Sequence, residues 1–336
     1  MKNRTLKLSF LFFLLSFSSI YSQYTDVINS NKPGFSESPY SVGTGVYQFE
    51  SNIFLRNASI KPTFSVPKSF GFDMLFRTSF FSEKLELSVQ ASYQKDKIVP
   101  KNSAIPNYFS SGFSNFNIGA KYLVFQQEFE DKSKEVRSWK RRRAFDKKRL
   151  IPSIAIYAGL NTDLINDIYK TGNMSPKVGV LLQNDLSTDF NIITNFYYDK
   201  IGTAFSEFSY IITGTFSFNG RWSTFIENQT VFQKHQNSTN LGTGLAYLAS
   251  RDLQINTSAR FLLEGQSHGL YAGLGISYRI NRHQDGVKGK GASEKNTPIS
   301  RYNKKQSNFF NRLFSVFTKK PKKKTTRNRP KRKRNN

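Results

Sequence analysis

Residues able to do chemistry are sparse in this chain. It has no cysteine, which removes a disulfide framework, a thiolate metal site and a cysteine nucleophile. Its three histidines, His235, His268 and His283, lie far apart in polar stretches, without the close spacing of a zinc site. No GxSxG elbow, GxxxxGK[ST] phosphate loop or HExxH helix occurs. An enzyme, a metal centre and a cofactor are therefore not expected. What the chain does carry is a scattered set of charged residues: Glu50, Asp73, Arg77, Glu86, Lys121, Glu227 and Arg279. If period-two strands carry them, all seven point to one polar face and line a lumen. Charges near 50, 77, 86 and 121 could then pair across adjacent strands. Either they fill a narrow barrel as a salt-bridge network, or they form a ring that selects a polar or anionic solute.

The elements that must position them show strict alternation. In Phe70–Phe80 the apolar face is Phe70, Phe72, Met74, Phe76 and Phe80, opposite Gly71, Asp73, Arg77 and Ser79. Leu85, Leu87, Val89, Ala91 and Tyr93 oppose Glu86, Ser88, Gln90 and Ser92. Phe208, Tyr210, Ile212, Gly214, Phe216 and Phe218 share a face, with Ile211 the exception on the polar side. In the last run Leu270, Ala272, Leu274, Ile276, Tyr278 and Ile280 oppose Gly273, Gly275, Ser277 and Arg279. One face is almost purely aliphatic and aromatic, the other carries hydroxyls, amides and charges, and aromatics cluster near the run ends. That pattern fits a membrane barrel better than a soluble sandwich.

The chain is thus expected to be all-β, a transmembrane antiparallel up-and-down barrel of about twelve strands. They fall near 44–56, 68–81, 85–95, 113–126, 149–161, 176–186, 190–201, 205–218, 222–234, 239–250, 253–264 and 269–280. In hydrocarbon an open sheet edge leaves backbone groups unpaired, so the sheet must close. An even count returns both ends of the barrel to one side, the periplasmic side, with short turns there and longer loops outside.

The first 22 residues, with a basic start, an apolar run from Leu8 to Phe17 and small residues after it, read as a secretory signal peptide cleaved after about Ser22. Residues 23–42 then form an N-terminal periplasmic segment, 43–280 the barrel in the bacterial outer membrane, and 281–336 a tail. The formal net charge of +27 is local. Residues 281–336 carry 19 Lys/Arg against 2 Asp/Glu, and residues 131–150 carry 10 against 3. With Lys2, Arg4 and Lys7 these segments hold the entire excess. The tail reads as disordered or partly helical, with a short amphipathic helix near 308–319. Together with Arg141–Arg143, the run Lys319–Arg334 would form a cationic periplasmic face for peptidoglycan, lipid phosphate or an acidic partner. Nucleic acid is not expected, since the leader carries the chain out of the cytoplasm.

One stretch carries a family resemblance. TDVINSNKPGFSESPYSVGTGVYQFE, residues 25–50, resembles the opening signature of bacterial outer-membrane proteins assigned as transporters of the meta-pathway of phenol degradation. The matching positions are Thr25, Asp26, Pro33, Phe35, Ser36, Glu37, Ser38, Val42, Gly45, Gln48 and Glu50. GFSNFNIGAKY supplies Gly119, Lys121 and Tyr122; FIENQ supplies Glu227; AGLGISYRI resembles the closing strand. Asn256 stands where that family usually has Asp, and the basic connection and tail are additions. The resemblance implies a barrel and passive, porin-like transport of a small solute, without fixing the solute. The competing expectation is a non-transporting barrel that anchors a periplasmic or cell-wall partner.

Overall fold

The computed structural model describes residues 27–58, 65–100, 106–127, 147–170, 172–234, 237–264 and 267–282. The expected leader, Arg141–Arg143, His235, His283 and the tail with its helix and Lys319–Arg334 lie outside them. Twelve strands form one closed antiparallel barrel, each strand beside its sequence neighbour and the first beside the last. They are β1 Val46–Ala58, β2 Ser65–Thr78, β3 Leu85–Val99, β4 Tyr108–Phe125, β5 Ser153–Asn161 and β6 Ser175–Asp185. Then follow β7 Phe190–Asp199, β8 Glu207–Ser217, β9 Trp222–Gln233, β10 Ser238–Ser250, β11 Leu253–Glu264 and β12 Ser267–Asn281. Closure is a thirteen-pair ladder from Val46↔Asn281 to Ala58↔Gly269, so neither outer strand is left with an edge.

The expected strands agree with these, with small differences at the ends. β4 begins at Tyr108 rather than 113, because Tyr108–Phe109 pair with Lys97 and Ile98 of a longer β3. β5 starts at Ser153, since Lys147–Leu150 form a 3-10 turn and Pro152 has no N–H for the ladder. β12 begins at Ser267 rather than 269, so His268 lies within it, opposite Leu263.

The alternation sorts side chains between two environments. Outward positions stay exposed although they are large and apolar: Ile226 is 73% exposed and Leu274 67% exposed. Aromatics collect at both rims. Phe80, Phe81, Phe125, Phe218 and Trp222 lie at the end where the barrel's first and last strands start and finish, here the terminal end. Tyr93, Tyr108, Phe109, Tyr198, Phe208 and Phe232 lie toward the far end. An unbroken apolar wall of this extent cannot face water, where exposed patches rarely exceed a few hundred Å². It is the surface of a barrel that spans a membrane.

Inward positions pack against one another or against the chain segment before β1. One cluster joins Leu123, Ala155, Tyr157, Leu181, Tyr197 and Ile211, with Phe35 and Tyr40 against it. A second joins Phe54, Leu262 and Tyr271, again with Phe35. Ile211, the apolar residue on the polar face of β8, is therefore buried because Phe35 and Tyr40 come to meet it. Small residues give the large ones room: a Cβ at Gly119 would run into the Tyr157 ring and hydroxyl.

Leu274 lies in the middle of the outward face of β12, so Leu274→Arg should cost about 2–4 kcal/mol of folding stability in liposomes. Urea titration of the full chain in lipid measures it, and unchanged stability would contradict a lipid-facing wall.

Candidate functional site: a lumen occupied by its own N-terminal segment

Residues 27–45 enter the barrel, follow its inner wall and leave into β1. The path is fixed by hydrogen bonds to successive strands. The Ile28 amide donates to the Arg251 carbonyl at the terminal end at 2.8 Å. Glu50 Oε2 accepts the Asn31 and Lys32 amides at 3.0 and 3.1 Å and the Ser30 hydroxyl at 2.9 Å. Across the lumen, Glu227 Oε2 accepts the Phe35 and Ser36 amides at 2.9 and 3.3 Å. The Asn195 side chain closes both ways on Glu37, accepting its amide at 2.7 Å and donating to its carbonyl at 2.8 Å. Ser38 then donates to Gln183 at 2.8 Å, and Tyr40 to Asp185 at 2.7 Å. Glu86 Oε2 accepts the Val42 amide at 2.9 Å before the chain turns out. That exit uses two glycines in the left-handed region, Gly43 at φ 87° and Gly45 at φ 74°, where a Cβ would be strained. Burial and the Asp185 carboxylate push the Tyr40 phenol well above its usual range, which keeps it a donor.

The three glutamates that take backbone amides of this segment, Glu50, Glu86 and Glu227, are themselves held by buried cations. Arg77, fully buried, reaches Glu50 at 3.0 Å and Glu86 at 2.8 Å. Lys121 reaches Glu86 at 3.0 Å, and Arg260 reaches Glu227 at 3.3 Å. The same cations also read the segment's carbonyls. Arg77 donates to Asn29, Lys121 to Ser38 and Arg260 to Pro33, at 2.9, 2.8 and 2.9 Å. Gln48 bridges Glu50 and the Asn29 carbonyl, at 2.7 and 2.9 Å. Removing one partner would leave the others as uncompensated buried charge, a loss of about 3–5 kcal/mol.

Of the seven charged residues picked from the sequence, Glu50, Arg77, Glu86 and Lys121 are thus drawn into one network. Glu227 belongs to a second one, with Arg260. Asp73 is inward-facing but only half-buried, paired in register with Asn52 and Ser92. Arg279 sits near the rim and pairs with Asp252 of the β11 turn at 2.8 Å. Among the motif positions, Phe35 lies under the Arg260 guanidinium at 3.6 Å and meets Tyr271 edge-on at 6.0 Å. Gly119 makes room for Tyr157, whereas Tyr122 is outward and exposed. Arg260, Asn195, Gln183 and Tyr271 were missed. Period two marks them as inward, but nothing in the sequence says that a distant segment fills the space beside them. Asn256, buried, has neither amide atom hydrogen-bonded.

The segment divides the lumen. A cavity of about 130 Å³ lies toward the terminal end, lined by Asn29–Gly34, Gln183, Thr213, Phe225 and Gln254. A second of about 210 Å³ lies toward the far end, lined by Asn31, Lys32, Glu37, Lys177, Tyr197 and Asp199. Asn31, Lys32, Gly34 and Ser36 form a wall common to both.

Comparison with known proteins gives one family match and several structural likenesses. The family described as "Putative MetA-pathway of phenol degradation" matches residues 30–280. Among solved structures, an outer membrane channel from Pseudomonas putida F1 is similar at 8% identity, with a TM-score of 0.51, over 75% of this chain and 100% of that one. The NanC porin aligns at 9% identity and TM-score 0.44, over 68% of this chain and 100% of that one. The CymD monoaromatic hydrocarbon channel aligns at 8% identity and TM-score 0.40, over 72% and 90%. No curated protein matches the chain.

Because its side chain both caps the Phe35 and Ser36 amides and takes the Thr213 hydroxyl at 3.0 Å, Glu227 should control how firmly the segment is seated. The chain has no cysteine, so Ser36→Cys introduces a single thiol at a buried lumen position. Maleimide labelling of that thiol should accelerate at least about tenfold when Glu227→Gln is added. Equal labelling rates would contradict the latch.

Proposed function

The chain belongs to the family described as "Putative MetA-pathway of phenol degradation", and from that premise we propose that it is a passive outer-membrane channel for a small polar solute. Its N-terminal segment acts as a constriction that must shift for solute to pass. The observation that carries this reading is the division of one polar lumen into two cavities by residues 31–36. A structural barrel with no transport role would gain more from an apolar or side-chain-filled interior. Here the segment is seated by hydrogen bonds and ion pairs beside two apolar clusters, and those polar contacts can be exchanged for water and solute one at a time. In this reading the charged residues act first as the seat of the segment and only second as a filter for solute. The segment is held by separate bonds, mostly to charged groups and worth about 1.5–3 kcal/mol each, so it can be released in parts without opening the barrel.

A thiol pair tests this. Ser38 and Gln183 are hydrogen-bonded at 2.8 Å, so Ser38→Cys with Gln183→Cys can be joined by a short, reducible bis-methanethiosulfonate linker. Liposomes carrying the linked chain should swell in isosmotic small sugars and amino acids no faster than empty liposomes, and reductant should restore swelling. Swelling unaffected by the linker would remove the segment from the pathway, and no swelling in any state would remove the channel.

The basic tail gives the channel a second attachment. We infer that residues 282–336 bind anionic envelope polymer from the periplasmic side. The support is charge: 19 Lys/Arg against 2 Asp/Glu in residues 281–336, while the stretch between residues 151 and 280 is far less basic. Deleting 282–336 should abolish co-sedimentation of the full-length barrel with purified peptidoglycan. Undiminished co-sedimentation would contradict it.

A further inference from the structure

The far-end cavity contains side chains that the seating of the N-terminal segment does not use. The Glu37 carboxylate lines it without a hydrogen bond or ion pair to another described residue, although its backbone is clamped by Asn195. It lies in electrostatic reach of Lys121, Tyr157 and Tyr197. The Lys32 ammonium stands over the Phe35 ring at 5.7 Å with no carboxylate against it. Two buried donors complete the set. The Tyr197 hydroxyl is without a hydrogen-bond partner on a residue only 5% exposed, and the Asn31 side-chain amide nitrogen is likewise unpaired. Both atoms are closed off from the cavity space, so a solute meets them only when these side chains turn toward it; left unpaired, each is costly.

The neighbouring charges are already committed. Lys177 pairs with Asp199 at 3.6 Å and lies over the Tyr197 ring at 4.6 Å. Glu207 takes Lys200 at 3.4 Å and the Gln233 amide at 2.6 Å. Among the described residues around this cavity, the charged groups left unpaired are Glu37 and the Lys32 ammonium, and the Asn31 amide and the Tyr197 hydroxyl are buried donors without a partner; Gln90 and Ser209 add neutral groups. A simple cation would satisfy the first and leave the donors unpaired; a simple anion would do the reverse and meet Glu37. We propose that this cavity binds a small zwitterion of the amino-acid type, its ammonium on Glu37 and its carboxylate on the three donors. At about 210 Å³ the space admits a small solute rather than a drug-sized one. This rests on the channel reading, and it names the class of solute that halts above the constriction.

Isothermal titration of the full chain in detergent micelles tests it with three probes: L-alanine, ethylammonium and propionate. Alanine should bind at least about tenfold more tightly than either half-molecule. Glu37→Gln and Lys32→Gln should each weaken it about tenfold, or about 1.4 kcal/mol, and Tyr197→Phe about fivefold. Neither Glu37 nor Lys32 uses its charged group to hold the fold, and a thermal melt of each variant checks that. No binding of any probe, equal binding of all three, or variants that bind like the wild type would overturn the site. Swelling assays separate the two claims. Swelling without alanine binding overturns the site and leaves the channel; alanine binding without swelling in any solute overturns the channel and leaves the site.

Discussion

Polar backbone inside a membrane barrel needs a partner at every position, and that requirement organises this molecule. A strand satisfies its amides and carbonyls with its neighbours in the ladder. A segment that threads the lumen without joining a sheet has no such supply. Residues 28–42 obtain theirs from side chains on strands around the wall: Glu50, Glu227, Asn195 and Glu86 for amides, Arg77, Lys121, Arg260 and Gln254 for carbonyls. Three of these four acceptors, Glu50, Glu227 and Glu86, are carboxylates that must in turn be neutralised, which explains why buried arginine and lysine lie beside them. Glu50, Arg77, Glu86, Lys121, Glu227 and Arg260 are the charges engaged with the segment, while Asp73, Lys177, Asp199 and Glu207 lie elsewhere in the lumen.

The opening signature acquires a physical meaning on this view. Pro33 offers its carbonyl to Arg260, and Phe35 gives that guanidinium an aromatic face. Gly34 is pressed against the Glu227 carboxylate, where a Cβ would come within 2.8 Å of Oε2. Gln48 and Glu50 begin β1 and immediately reach back to residues 29–32. The motif is the sequence trace of a segment docking into its own barrel. Only Glu37 among these keeps its side-chain charge unspent.

The barrel was legible because its information is local. Alternation over ten residues assigns Glu86 inward and Leu87 outward without knowledge of any partner, and the turn at 251–252 already separates β10 from β11. Strand ends were less legible: β3 and β4 run on past the alternating stretch because they pair with each other there, with Asp96 and Ile98 buried. The lumen was not legible. That Asn195 on β7 meets Glu37, 158 residues away, depends on the path of a segment with no periodicity. Arg260 was overlooked for the same reason, although its face was readable. Ile211 gave the one usable hint, since an apolar residue on a polar face signals that something apolar arrives to cover it.

The central claim is that lumen carboxylates hold the backbone of residues 31–42. Amide hydrogen exchange of the full chain in lipid addresses it at the atoms concerned. The account predicts that the Asn31, Lys32, Phe35, Ser36 and Val42 amides are protected well above an unfolded segment though less than the barrel strands, and that Glu50→Gln with Glu227→Gln releases the first four while Val42, held by Glu86, is least affected. Exchange of all five within seconds in the unaltered chain, at the rate of an unfolded segment, would contradict it.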